Sequence, residues 1–238
     1  MTVTPYSPDG SKRQQVEQMF DAISPKYVLL NRLFSLGIDQ GWRRKVMREV
    51  TKEPVQKLLD VATGTADLAI MAAKHVPEVI GVDISEGMLS HGRTKVTKKG
   101  LDHQIKLQQA DSVALPFPDG TFDAITVAFG VRNFEELQRG ITEMQRVLKA
   151  NGRLFVLEFS KPQKTPMKQL FRFYFHRVMP FVGKAVSKDC AAYSYLPKSV
   201  EAFPEGSDFL KIMASAGLRE CKAESLTGGI ASLYTGRK

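Results

Sequence analysis

From Lys12 to about Val50, apolar residues recur at three- and four-residue spacing. Val16, Met19, Phe20 and Ile23 form a stripe that Tyr27, Leu30, Leu33 and Phe34 continue, with breaks at Pro25 and Gly37. This spacing predicts a helical arm, preceded by a loosely attached segment over 1–11. The pattern then changes. Short apolar runs at 55–61, 79–82, 105–108, 122–128 and 153–159 alternate with helical stretches at 66–74, 85–98 and 135–148. Such alternation predicts parallel strands buried on both faces, with helices covering the sheet. Ser85 is a favourable N-cap, Pro118-Asp119-Gly120 reads as a turn, and Asn151-Gly152 stops the preceding helix. Helical material over 161–200 interrupts the rhythm. A last helix over 206–216 ends at Gly217, and 218–226 and 230–234 predict an antiparallel hairpin joined at Thr227-Gly228-Gly229. The expected α/β fold is a seven-stranded Rossmann-like sheet in one domain. It comprises a helical arm (1–50), a cofactor-binding core (55–160), a helical cap (161–205), and a C-terminal helix and hairpin (206–238).

Composition changes this picture little. A chain of 238 residues, 43% hydrophobic and 25% charged, can bury a substantial core. Cys190 and Cys221 make neither a disulfide scaffold nor a zinc site, and His75, His91, His103 and His176 lack metal-ligand spacing, so no metal is expected. Residues 1–18 are polar, unlike a signal peptide, and no apolar run is long enough to span a bilayer. The expectation is a cytoplasmic protein with reduced thiols. The net charge of +9 favours anionic partners: nucleic acid, acidic lipid or an acidic substrate. Seven Lys/Arg residues and no acid fall between Lys161 and Lys188, interleaved with Phe171, Phe173, Tyr174, Phe175 and Phe181.

The chemistry concentrates at the strand ends. The first strand ends at Asp60-Val61-Ala62-Thr63-Gly64-Thr65-Ala66, and the second ends in Asp83. Ligands of open parallel sheets bind outside the carboxyl ends of the strands. The turn is not the dinucleotide fingerprint, which needs three glycines where only Gly64 stands. A hydride-transferring dehydrogenase is therefore disfavoured. A ligand without phosphates needs less close backbone approach, and S-adenosylmethionine suits such a turn. Asp83 is the candidate for both ribose hydroxyls, and Asp111 with Ser112 for adenine. Thr65 and the following helix start are the candidates for the methionine carboxylate. Any one acid alone is better read as capping the next helix; three at successive strand ends favour a ligand.

The fourth strand runs into Ala128-Phe129-Gly130-Val131-Arg132-Asn133-Phe134. It lacks the Asn/Asp-Pro-Pro-Tyr/Phe type of sequence that amino-group methyltransferases of nucleic acid carry there. Arg132 and Asn133 offer a cation and an amide, or else a surface arginine and a helix cap.

Four stretches together resemble the ubiquinone/menaquinone biosynthesis C-methyltransferase family over nearly the whole chain. They are Phe20 to Tyr27 with Asn31, Ser35, Gly37 and Trp42-Arg43; Leu59 to Asp67 with Asp83; Phe129 to Asn133 with Arg146 to Lys149 and Glu158-Phe159-Ser160; and Tyr193 to Leu196, Phe203-Pro204 and Leu226 to Ala231. The chain departs from the family pattern at Val28, at Ala128 and in the glycine-poor turn with Thr63 and Ala66. The resemblance implies a class I fold and methyl transfer from S-adenosylmethionine to a ring carbon of a prenylated quinol. The form of the turn leans toward a naphthoquinol, demethylmenaquinol, over a ubiquinol precursor. Arg132 is then expected to stabilise the ring oxyanion, directly or through a water that Asn133 orients, while Asp60, Gly64, Thr65, Asp83, Asp111 and Ser112 hold the cofactor. A prenyl tail gives the basic-aromatic stretch a use: Phe171, Phe175, Met179 and Phe181 on apolar material, Arg172 and Arg177 facing anionic headgroups at the inner face of the membrane. A cap helix with solvated cations explains the same residues equally well. An RNA methyltransferase and a non-catalytic S-adenosylmethionine-binding module remain the rival readings, though no nucleic-acid partner is expected. Homo-oligomerisation is left open.

Overall fold

The alternating apolar runs form strands β1 (Lys57–Val61), β2 (Glu78–Asp83), β3 (Ile105–Gln109), β4 (Phe122–Ala128) and β5 (Leu148–Phe159), and the tail forms β6 (Arg219–Leu226) and β7 (Ala231–Arg237). They make one sheet in the order β3-β2-β1-β4-β5-β7-β6. Neighbours among β1 to β5 pair in parallel, and β7 runs antiparallel to both β5 and β6. The computed structural model describes residues 3–7, 9–35, 37–174, 177 and 190–238, without the side chains of 25–34 and 190–193. The helices described are α1 (Lys12–Ser35), α2 (Ile38–Val50), α3 (Asp67–Ala72), α4 (Glu86–Lys98), α5 (Leu137–Val147), α6 (Met167–Phe173), α7 (Cys190–Ala202) and α8 (Ser207–Ser215).

Period-two alternation divides the strands between two cores. On one face Leu58 and Val79 pack with Trp42, Val46 and Val50 of α2 and Leu68 and Ala72 of α3. On the other, Leu59, Val61 and Ile80 pack with Ile141 and Met144 of α5 and Phe209 and Met213 of α8. The edge strand β6 is mostly exposed and carries Arg219, Glu220, Lys222 and Glu224, charges that discourage edge-to-edge pairing. Trp42 ties α2 to the ends of β4 and β5. Its ring centroid lies 5.9 Å from that of Phe129 and 6.2 Å from that of Phe159, and its Nε1 donates to Thr227 Oγ1 at 2.8 Å.

Three sequence expectations need correction. First, α1 runs through Pro25 without a break. Proline has no N–H to donate to the carbonyl four residues back, but that carbonyl, of Asp21, accepts from Ser24 Oγ at 2.9 Å. The predicted break at Gly37 does occur: this residue has φ 77° and separates α1 from α2. Second, the segment before α1 is attached. Tyr6 and Ser7 both donate their backbone N–H to Gln15 Oε1 at 2.9 Å, and Gln15 Nε2 returns a bond to the Ser7 carbonyl at 3.0 Å. Third, β5 begins at Leu148 rather than 153. Leu148 pairs with Phe122 before a register shift, and the next pair is Arg153 with Ala124. Asn151, at φ 63°, and Gly152 occupy the irregularity and do not end the strand.

Candidate active site

The site is built on a backbone conformation that the sequence does not advertise. In the turn after β1, Ala62, Gly64 and Ala66 have φ of 53°, 56° and 64°. Left-handed backbone costs an L-residue with a Cβ roughly 1–2 kcal/mol, so two alanines here need a compensating frame. Asp60 supplies it. Its carboxylate is buried and accepts from Thr63 Oγ1 and from Thr126 Oγ1 of β4, both at 2.7 Å. Burial raises the Asp60 pKa, and the two hydroxyls and Arg43 oppose the rise. Thr63 N donates to the Val82 carbonyl at 2.9 Å, stitching the turn to β2. Asp60 thus shapes the turn, from below a small cleft that Gly64 and Thr65 also line.

Asp83 sits where β2 ends, half-buried. Oδ2 accepts from Gly64 N at 2.8 Å and Oδ1 from Ser85 N at 2.9 Å. Desolvation pushes its pKa up to about 6 against these backbone donors. Ser85 caps α4 through Met88 N (3.1 Å) and donates to Asp21 Oδ1 at 2.6 Å, which docks α1 on the start of α4. A cavity beside Asp83 is also lined by Gly64, Asp111, Ser112, Phe129 and Asn133. Gly130 is required at its floor, because a Cβ there would lie 2.6 Å from Ala62 Cβ.

Not every expected residue faces this cavity. The Thr65 hydroxyl turns toward α4, accepting from Lys95 Nζ at 2.7 Å and meeting Asp67 Oδ2 at 3.2 Å. Its hydroxyl thus joins the Lys95–Asp67 ion pair, while Thr65 still lines the cleft above Asp60. Asp111 lines the cavity, with Oδ1 bound by Val113 N at 3.1 Å, and its other oxygen is ion-paired to Arg13 Nε from α1. Arg132 is not a free cation. It is buried, with Nη1 donating to Glu158 Oε1 (2.8 Å) and to the Phe129 carbonyl (2.5 Å), while its guanidinium stands 5.4 Å from the Phe159 ring centroid. Asn133 lies in the short helical turn Val131–Asn133 with its Oδ1 unpartnered.

Residues the sequence reading missed complete the site. Glu158 is wholly buried and also accepts from Phe159 N at 2.8 Å. An acid inside the apolar run Leu154-Phe155-Val156-Leu157-Glu158 was the available signal, since a buried carboxylate needs a partner. Lys12 Nζ donates to the carbonyls of Arg132 (2.9 Å) and Phe134 (3.0 Å), and burial, assisted by Arg132, lowers its pKa to about 8. Glu135, expected to open a helix, instead caps α1: it accepts from Lys12 N, Arg13 N and Ser11 Oγ at 3.0, 3.1 and 2.8 Å. Nothing in a polar N-terminal segment announced these contacts.

Breaking a buried ion pair from one side leaves an uncompensated charge, with a typical penalty of about 3–5 kcal/mol. Glu158→Ala is therefore expected to lower unfolding stability by about that amount in urea titrations. The paired change Glu158→Leu with Arg132→Met should be far milder than the single variant. Equal losses in the two proteins would reject the ion pair as the source.

The chain matches the family model described as the ubiE/COQ5 methyltransferase family over residues 9–238. It is 50% identical over 238 residues to a demethylmenaquinone methyltransferase of Bacteroides fragilis, covering 99% of this chain and 97% of that relative. It is 44% identical over 230 residues to a ubiquinone/menaquinone biosynthesis C-methyltransferase of Geotalea uraniireducens, covering 95% and 97%. A SAM-dependent methyltransferase structure from Aquifex aeolicus superposes with a TM-score of 0.59 at 20% identity, over 82% of this chain and 88% of that one, a likeness of fold. The acceptors present are compatible with the cofactor the sequence implied: the half-buried carboxylate of Asp83 and the carboxylate of Asp111 line one cavity with apolar Val16, Met88 and Phe129. A full-length family match, close relatives and this seven-stranded sheet together establish that the chain belongs to the ubiE/COQ5 methyltransferase family.

Proposed function

We propose that this protein methylates a ring carbon of demethylmenaquinol, using S-adenosylmethionine and yielding menaquinol. The observation that carries the reading is one cavity bringing together the half-buried carboxylate of Asp83 and the unpartnered amide oxygen of Asn133. The names of the relatives at 44–50% identity support the quinol as substrate. Asp83 is the acceptor for ribose hydroxyls, and charge-assisted bonds of this kind are worth about 1.5–3 kcal/mol each. Asp111 and Ser112 take the adenine end, and Gly64 holds Asp83 in register. Asp60 acts on the turn.

Deprotonation of a ring hydroxyl pushes charge onto the neighbouring carbon. That carbon's electron pair forms the new carbon–carbon bond as the sulfonium–methyl bond breaks, sulfur keeps the bonding pair, and the displaced ring proton leaves to solvent. Alignment of two bound reactants can account for roughly 7–11 kcal/mol of such a barrier. Arg132 acts through Nε, since Nη1 is committed to Glu158, and its charge is shared with that carboxylate. Asn133 orients the ring hydroxyl or an intervening water.

We further propose that α6 meets the membrane in which a prenylated substrate resides. Phe171 packs against Val200, while Leu170 and Phe173 are 60% and 61% exposed on a helix that also exposes Lys168 and Arg172. Phe175, Met179 and Phe181, expected in the same surface, lie outside the described residues. Among the described residues no helix is long and apolar enough to cross a membrane.

Three measurements test these readings. Labelled S-adenosylmethionine with short-chain demethylated naphthoquinol should give carbon-methylated product; label appearing only on RNA, or on nothing, would sink the assignment. Calorimetry with S-adenosylhomocysteine should give an affinity that is level above about pH 7 and weakens by up to about tenfold per unit below about pH 6, as Asp83 protonates. The same raised pKa has an opposite effect on the fold. Between about pH 4 and about pH 6 the native carboxyl keeps a proton that the unfolded chain has lost, so this contribution to stability declines as pH rises. Equal affinity at pH 5 and pH 7.5 would remove Asp83 from the cofactor site. Finally, the protein should sediment with anionic vesicles, less so at high salt, and Leu170→Asp with Phe173→Asp should abolish this. Sedimentation indifferent to salt and to anionic lipid would count against the membrane face.

A further inference from the structure

Among the described residues three buried side-chain polar atoms lack a hydrogen-bond partner: Arg132 Nε, Asn133 Oδ1 and Tyr195 Oη. Native interiors rarely tolerate such atoms, and each one calls for a reason. These three cluster. Arg132 and Asn133 are successive residues of the turn after β4, and α7, which carries Tyr195, packs on that turn. Tyr195 is only 3% exposed. Its ring rests on Val16 and Met19 of α1, and Val16 also lines the cavity of Asp83 and Asn133.

Among the described residues the phenol has no hydrogen-bond partner. Glu158 is the nearby acceptor and exerts its charge on Tyr195, yet its oxygens are bound by Arg132 Nη1, Arg132 N and Phe159 N. Two of the three orphans, a guanidinium N–H and a phenol O–H, are donors. Donors beside a cation repel a sulfonium and attract an oxygen that is gaining negative charge. Burial pushes the Tyr195 pKa up to about 12, so at neutral pH the group is a phenol able to donate.

We infer that Tyr195 is a substrate-binding catalytic residue, whose hydroxyl donates, beside Arg132 Nε, to the quinol ring oxygen that becomes the oxyanion. The inference rests on the carbon-methylation reading and adds to it a second donor, from α7. The ring oxygen then sits between the turn after β4 and α7, with Lys12, Arg132, Glu135 and Glu158 as the charged groups packed around that turn. Arg132, already neutralised by Glu158, does not have to stabilise the oxyanion alone.

Tyr195→Phe tests this, because it keeps the ring and removes only the orphan hydroxyl. Its melting temperature should hold or rise, and its affinity for S-adenosylhomocysteine should be unchanged. Its kcat on a demethylated naphthoquinol should fall, on the order of 10²-fold, the usual loss for one oxyanion donor. A second readout does not depend on turnover. The variant should bind 2-hydroxy-1,4-naphthoquinone, an anion at neutral pH, at least about tenfold more weakly than wild type does, while affinity for neutral 1,4-naphthoquinone stays the same. Wild-type kcat and KM in Tyr195→Phe overturn the inference. A wild-type protein that leaves the quinol unmethylated overturns the underlying reading instead. The two quinone affinities then decide the phenol's role, with equal anion affinity in both proteins refuting it.

Discussion

The buried carboxylate of Asp60 is the constraint on which the site depends. It joins three pieces of chain: its own strand β1, the turn through Thr63, and β4 through Thr126. These two bonds join the Thr63 N bond to the Val82 carbonyl in holding the turn with its left-handed alanines at 62 and 66, and with it Gly64 N aimed at Asp83. Each charge-assisted hydrogen bond is worth about 1.5–3 kcal/mol, enough to offset a left-handed alanine at roughly 1–2 kcal/mol. A turn usually built from glycine is here built from alanine and held by threonine hydroxyls. The same alanine fixes Gly130, whose missing side chain leaves room for Ala62 Cβ.

A second buried charge governs the turn after β4. Glu158 fixes Arg132 by side chain and backbone together, so the guanidinium is oriented before any ligand arrives. The arrangement trades field strength for direction. An isolated arginine would exert more field on a substrate oxygen, but it would be expensive to bury and free to adopt several rotamers. Paired, it holds the buried, unpartnered Nε at a set place, and leaving such an atom unsatisfied costs about 1–3 kcal/mol. A native fold keeps that cost where it serves a ligand.

Much of this architecture was legible in the residues, for identifiable reasons. Period-two and three-to-four spacing marked the strands and helices, and the start of β4 (Phe122–Ala128) was visible because the turn Pro118-Asp119-Gly120 precedes a mainly apolar run. The acids at the ends of β1 and β2 were visible because strand ends in parallel sheets face the ligand side. What the residues hid were commitments between distant parts. The hydroxyl of Thr65 is claimed by Lys95, the cation of Arg132 by Glu158, and the carboxylate of Asp111 by Arg13. A residue type shows what a side chain can bond, while its partner depends on how elements meet in space. Pro25 failed as a helix breaker for a local reason that was readable in principle, a serine one residue earlier able to satisfy the stranded carbonyl.

The clasp between the start of α1 and the region after β3 and β4 also bears on how the chain is made. Ser11 and Arg13 find Glu135 and Asp111 across 124 and 98 residues of sequence. At synthesis rates of roughly 5–20 residues per second, about 6–25 s separate the emergence of the arm from that of its farthest partner. For that interval an apolar stripe containing Val16, Met19 and Phe20 lacks part of the surface it lies on, which includes Tyr195 of α7. Docking of α1 is therefore complete only once residues about a hundred positions later have been made, and until then its apolar stripe is a segment that chaperones can bind.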